Sequence, residues 1–223
     1  MFKFTAFYNK HEWYIAMKLS FFQENKSNIL PHNGFTCYIS SFINDTHSSF
    51  QQQLLENVHW KHDELTLYGK KIITKRKVAF EGDDFIEYTY SKQKKIANPW
   101  SHEVLEIKQL LEKKLSTQFN GCLMNLYESG AVGMAWHCDN EPELDSAGII
   151  ASISFGATRT FQLKHKQTGE KIDIKLENGS LLLMNMESQQ YWLHQLKKEI
   201  KVKELRINLT FRQFKNDFSI IKC

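Results

Sequence analysis

Three residues late in the chain have the types and spacing of a metal-ligand set: His137, Asp139 and the distant His194. Two imidazoles and one carboxylate cover one face of a non-haem iron and leave the other open to O2 and a second ligand. On a strand, residues i and i+2 share a face, so His137 and Asp139 can converge while Cys138 points away. Taken alone, a histidine near an aspartate is more often a surface pair, and His62-Asp63-Glu64 offers the same spacing by chance. That second match is expected at the end of a helix, where residues two apart diverge. Beyond His194 runs Arg206-Ile207-Asn208-Leu209-Thr210-Phe211-Arg212. In a strand, 206, 208, 210 and 212 share one face. A guanidinium there supplies a fixed, bidentate grip on a carboxylate. An open iron beside such a clamp points to oxidative chemistry with a carboxylate-bearing cosubstrate.

These side chains need a scaffold, and the periodicity changes near residue 120. Before it two helices are expected. Residues 46–60 follow Asp45-Thr46 and put Phe50, Leu54 and Val58 on one stripe. Residues 99–117 follow Asn98-Pro99 as cap and first turn and stack Val104, Ile107, Leu111 and Leu115. After it the period is two. Ile149–Phe155, Thr160–His165, Lys171–Leu176, Ser180–Asn185 and Arg206–Phe211 read as strands. Thr168-Gly169 and Asn178-Gly179 mark turns between them. Many short strands with such turns imply an α+β protein with a jelly-roll or cupin-like core, a double-stranded β-helix braced by the two helices. The expected division is an N-terminal extension, helices and recognition region over 1–118, the barrel over 119–214, and a tail over 215–223.

Composition narrows the class. At 223 residues and 42% hydrophobic the chain suffices for one compact domain or a domain with a small subdomain. No apolar run nears the roughly 18 residues that span a bilayer, and the N-terminus lacks the order of a signal peptide. Four scattered cysteines without a C-x-x-C read as reduced thiols of an intracellular protein. A monomer is expected, cytoplasmic in a bacterium or nuclear in a eukaryote, and neither secreted nor membrane-bound. The net charge of +4 says little, but Lys61, Lys70, Lys71, Lys75, Arg76 and Lys77 crowd one stretch, and Lys92, Lys94 and Lys95 follow. Such a cluster is a solvated face or a phosphate-binding rim.

The segments around the candidate ligands carry a resemblance. Asn125-Leu126-Tyr127-Glu128-Ser129-Gly130, His137-x-Asp139-x-Glu141 and Ile150-Ala151-Ser152-Ile153-Ser154-Phe155-Gly156 are similar to segments of the AlkB family of alkylation-repair dioxygenases. So are Gly179-Ser180-Leu181-Leu182-Leu183-Met184, His194 and Arg206-x-Asn208-Leu209-Thr210-Phe211-Arg212, in order from about residue 67 to 214. The resemblance implies Fe(II) on His137, Asp139 and His194. It implies 2-oxoglutarate, with O2 as the other cosubstrate, against Asn125, Tyr127, Arg206, Asn208 and Arg212. Arg206 would take the distal carboxylate, while Asn208 and Arg212 would lie near the metal end. The implied reaction is oxidation of an N-alkyl group on a damaged base, releasing succinate and formaldehyde.

The same resemblance extends to the substrate side. Tyr88-Thr89-Tyr90 matches the family's pocket-lining segment, with Tyr90 stacking a flipped base, and Glu141 matches an acidic residue at the base edge. Leu67-Tyr68-Gly69-Lys70 resembles the hairpin of the duplex-preferring branch, whose finger fills the gap left by the extruded base. In that register Arg76 matches a basic contact near the lesion. Tyr68 stands where an apolar finger is usual, and Tyr90 where phenylalanine or tryptophan is common. The partner implied is alkylated DNA, duplex first. The alternatives are RNA or single-stranded DNA, or a 2-oxoglutarate hydroxylase of a small molecule or protein.

Overall fold

The computed structural model describes residues 28–43, 49–67, 70–84, 86–90 and 93–215. Thirteen strands and three helices fall within them. The strands are β1 Thr36–Ile39, β2 Lys61–Leu67, β3 Lys70–Gly82, β4 Glu87–Tyr90, β5 Gln93–Ile96, β6 Gly121–Tyr127 and β7 Met134–His137. They continue with β8 Ile149–Gly156, β9 Arg159–His165, β10 Lys171–Leu176, β11 Leu181–Asn185, β12 Trp192–Leu196 and β13 Arg206–Arg212. The helices are α1 Phe50–Asn57, α2 His102–Leu115 and α3 Met186–Tyr191. A seven-stranded sheet runs β1-β11-β8-β13-β6-β3-β2, a four-stranded sheet runs β10-β9-β12-β7, and β4-β5 forms a separate ribbon. Every pairing in these ladders is antiparallel. This mostly antiparallel, two-sheet arrangement is the jelly-roll core that the short strands and turns imply.

The central strands of the large sheet are buried on both faces, which explains the unbroken apolar run Leu181–Met184 in β11. Alternation sorts its residues. Cys122, Met124, Ile153, Leu183, Ile207, Leu209 and Phe211 pack against Phe50 and Leu54 of α1 and Val104, Ile107 and Leu111 of α2. The opposite face turns toward the small sheet. There Ile150, Leu182 and Met184 meet Phe161, Leu163, Ile174, Leu176 and Trp192. Phe80 and Leu123 of that face pack with Ile86, Leu144 and Phe214, and its polar residues form the site described below. Gly169 and Gly179 adopt φ of 75° and 72°, the left-handed backbone their turns require.

Several local expectations change. The first helix occupies 50–57 among the described residues, because Val58 is already extended. The second starts after Ser101, not Asn98. Asn98 instead bridges Glu81, its N–H donating to the Phe80 carbonyl at 2.9 Å. The Glu81 carboxylate accepts from Ser101 N–H and Oγ at 2.9 and 3.0 Å, and so takes over the cap. His62-Asp63-Glu64 lies on β2, not at a helix end. Lysines hide the strand period of Lys70–Gly82, yet β3 pairs with both β2 and β6. Three strands of the large sheet, β1 to β3, therefore come from before residue 119.

Candidate metal centre

His194 on β12 and His137 at the end of β7 are register partners. Their Nε2 atoms face each other at 3.0 Å. The His137 Nδ1–H donates to the Ala135 carbonyl at 2.8 Å, which leaves Nε2 bare and aimed inward. Asp139 lies past the strand, so loop contacts place it rather than the strand alternation expected from the sequence. Its N–H donates to Gln189 Oε1 at 3.1 Å. Its Oδ2 accepts from Arg212 Nη2 at 2.8 Å, while Oδ1 lies 3.8 and 3.9 Å from the two histidine Nε2 atoms. Among the described residues these three form the one cluster of histidine, cysteine and carboxylate atoms close enough to hold an ion. Cys138 turns away, its Sγ 3.7 Å from Lys166 Nζ.

The electrostatics suit a cation. Burial, then the neighbouring His137, holds His194 down at about 3, so it is a neutral ligand at any working pH. His137 is also lowered, mainly by burial. Burial would raise the Asp139 carboxyl, but Arg212 and the two imidazoles outweigh it and hold it at about 2. Two bare imidazole nitrogens and one carboxylate oxygen, gathered and ready-ionised, fit a divalent iron.

Beside them β13 presents Arg206, Asn208, Thr210 and Arg212 to the same pocket, with Asn125 and Tyr127 from β6. The register sets Arg206 opposite Tyr127 and Asn208 opposite Asn125. Arg206 is 2% exposed. It donates Nη2 to Ser154 Oγ at 2.9 Å, its guanidinium lies over the Tyr127 ring at 5.7 Å, and its Nε has no hydrogen-bond partner among the described residues. Burial, above all, lowers it to about 10. A buried cation with an unused donor is a receptor for an anion, and the distal carboxylate of 2-oxoglutarate fits it. Asn208 donates to Ser152 Oγ and the Ile153 carbonyl, at 2.8 and 3.0 Å. Ser152 and Ser154, spaced two apart on β8, escaped the sequence reading, though their alternation with Ala151, Ile153 and Phe155 marks them as facing the site.

The remaining expected residues divide. Glu141 is no surface carboxylate: it lies 3.8 Å from Arg212, its buried Oε2 has no hydrogen-bond partner among the described residues, and burial raises its carboxyl. Arg76 is buried, its Nε donating to Asn125 Oδ1 at 3.0 Å. Tyr88 and Tyr90 lie on β4, two apart. Tyr68 lies outside the described residues. The network around Arg76 also includes Asp63, which sequence spacing had marked only as a false metal match.

A jelly roll with this triad at one end and a buried arginine clamp beside it defines a non-haem iron oxygenase framework. The chain belongs to the 2OG-Fe(II) oxygenase superfamily, whose profile matches residues 34–212. Its homology is to the AlkB branch. It is 37% identical over 176 residues to human alpha-ketoglutarate-dependent dioxygenase alkB homolog 3, covering 72% of this chain and 59% of that protein. It is 35% identical over 155 residues to human DNA oxidative demethylase ALKBH2, covering 66% of this chain and 59% of that protein. The chain thus spans less than two thirds of these relatives' length. Among solved structures, OsALKBH1 shares the fold with a TM-score of 0.58 at 15% identity, covering 84% of this chain and 100% of that one. No helix among the described residues is long and apolar enough to cross a membrane.

Proposed function

We propose that the protein oxidatively removes alkyl groups from the nitrogens of damaged DNA bases, acting first on duplex DNA. The observation that carries this reading is the meeting, in one pocket, of the His137–Asp139–His194 cluster and the buried Arg206 with an unused Nε. When bound, Fe(II), 2-oxoglutarate and O2 would supply an oxidation that yields succinate, CO2 and a hydroxyalkyl adduct, which loses formaldehyde in the methyl case. His137, Asp139 and His194 hold the metal. Arg212 grips Asp139 Oδ2 and keeps Oδ1 toward the imidazoles. Arg206 pairs with the distal carboxylate of 2-oxoglutarate, Asn125 and Tyr127 border it, and Asn208 and Arg212 serve its other end.

On the substrate side, Tyr88, Tyr90 and Glu141 border the base. Leu67 of β2 pairs with Lys70 of β3, and the resemblance assigns Tyr68 the role of a wedge. Extruding a base costs a few kcal/mol of stacking, and an inserted aromatic offsets about 1–3 kcal/mol of it. The test is formaldehyde release from methylated duplex DNA, single-stranded DNA and RNA with Fe(II) and 2-oxoglutarate. Tyr68→Ala should slow the duplex reaction roughly ten- to a hundredfold and spare single strands. Equal losses on both substrates would remove the wedge. Preference for RNA or single strands would reassign the substrate. Consumption of 2-oxoglutarate without nucleic-acid oxidation would favour a small-molecule or protein hydroxylase.

A further inference from the structure

Asp63 joins two hairpins to the pocket. Between the pairs His62↔Lys77 and Glu64↔Ile73, three residues of β3, Thr74 to Arg76, stand against Asp63 alone. A bulge of this kind bends the strand and re-aims its side chains. Local bonds hold the kink: His62 Nδ1 meets the Thr74 carbonyl at 2.8 Å, and Thr74 Oγ1 donates to the Arg76 carbonyl at 2.8 Å. The result turns Arg76 inward. Its Nη2 donates to Asp63 Oδ2 at 3.2 Å and its Nε to Asn125 Oδ1 at 3.0 Å. The other Asp63 oxygen accepts from Lys95 Nζ at 2.6 Å.

Lys95 lies on β5, directly opposite Tyr88 of β4. Among the described residues the β4–β5 ladder joins no other strand, and a two-stranded ribbon is marginal on its own. Just past β5, Asn98 bridges Glu81 of β3, and the Asp63–Lys95 pair is a second, side-chain tie between the ribbon and the β2–β3 hairpin. The carboxylate is 4% exposed, and a buried charge persists only where its partners are held in place. One carboxylate between two cations also leaves a net positive charge at this junction.

We infer that Asp63 is a positioning residue for the nucleobase: it docks the Tyr88–Tyr90 ribbon on the β2–β3 hairpin and, through Arg76, registers both against Asn125. This rests on the nucleic-acid reading proposed above. Asp63 is not in the His137–Asp139–His194 cluster and does not line its pocket.

The test is Asp63→Asn, which keeps the shape and removes the charge, beside Lys95→Met, which cuts only the arm to the ribbon. Both are assayed well below their melting temperatures. Each should raise KM for methylated oligonucleotide about tenfold, as expected for one lost coupling, with kcat little changed. Calorimetric 2-oxoglutarate affinity should stay near wild type. The double variant should be no worse than Asp63→Asn alone, which already cuts both arms, and Asp63→Glu should recover part of the loss. Unchanged oligonucleotide KM in the single variants overturns the inference. So does an equal fall in 2-oxoglutarate affinity, which would make Asp63 a support of the whole pocket. A wild-type protein that binds 2-oxoglutarate but oxidises no methylated nucleic acid would instead end the functional reading, and this inference with it.

Discussion

Arg206 and His194 show how burial prepares a residue for its ligand. Arg206 is enclosed with a neutral serine as hydrogen-bond partner, so an arriving carboxylate meets a cation already stripped of water. Removing one partner of a buried charge pair costs roughly 3–5 kcal/mol, and about 1.4 kcal/mol is tenfold in affinity. Arg206→Ala should therefore weaken 2-oxoglutarate binding by roughly two to three orders of magnitude. An unchanged calorimetric dissociation constant would move the clamp to another residue. His194, held at about 3, resists a proton that the unfolded chain accepts near pH 6.5. Between those values the unfolded state binds more protons, so the metal-free protein should lose stability as pH falls below about 6.5. One such site adds at most about 1.4 kcal/mol per pH unit. Urea unfolding of chelator-treated protein from pH 8 to 5 measures the slope, and His194→Gln should flatten it. An unaltered slope would assign the effect elsewhere.

At the scale of elements, the metal strand and the clamp strands are held together by loops that a buried arginine ties. Arg159, fully enclosed, donates to the carbonyls of Ser129, Gly130, Val132 and Lys197 and pairs with Glu199 at 3.3 Å. These residues belong to the β6–β7 connection and to the loop after β12, so one side chain fixes β7, with His137, relative to β6, with Asn125. Arg159→Leu leaves the carbonyls and Glu199 without this partner. A loss of about 3–5 kcal/mol is expected, or roughly 10 °C in melting temperature. A melting curve matching wild type would show that the loops close without it. The elements legible in the sequence were those with a clean period, such as the α2 stripe and the alternation of β13. The charged strands β2 and β3 were not, because the bulge at Asp63 and the lysines break the alternation that a half-buried strand normally shows.

For the whole molecule, the triad joins β7 and β12, neighbouring strands of the small sheet, to the loop carrying Asp139, which Arg212 of the large sheet also grips, so metal binding should stabilise the fold as a unit. A ligand at a hundred times its dissociation constant adds about 2.7 kcal/mol, or roughly 5–11 °C here. Anaerobic Fe(II), or Mn(II) in its place, should raise the melting temperature by such an amount, with reversal by chelator and no shift in His137→Ala. A shift that survives His137→Ala would place the metal elsewhere. The sequence by itself determined the ligand types, the arginine-bearing strand and the jelly-roll class, because donor chemistry and side-chain period are local properties. Tertiary structure decided which matching spacing gathers a three-residue cluster: His137 and Asp139 acquire His194 across β7 and β12, whereas His62 and Glu64 gain no third such residue among the described residues. It also decided that Arg76 and Asp63 face inward and that Arg206 pairs with no carboxylate among the described residues. Pairing across 50 or more residues and exclusion of water are properties of the closed barrel, and no window of sequence contains them.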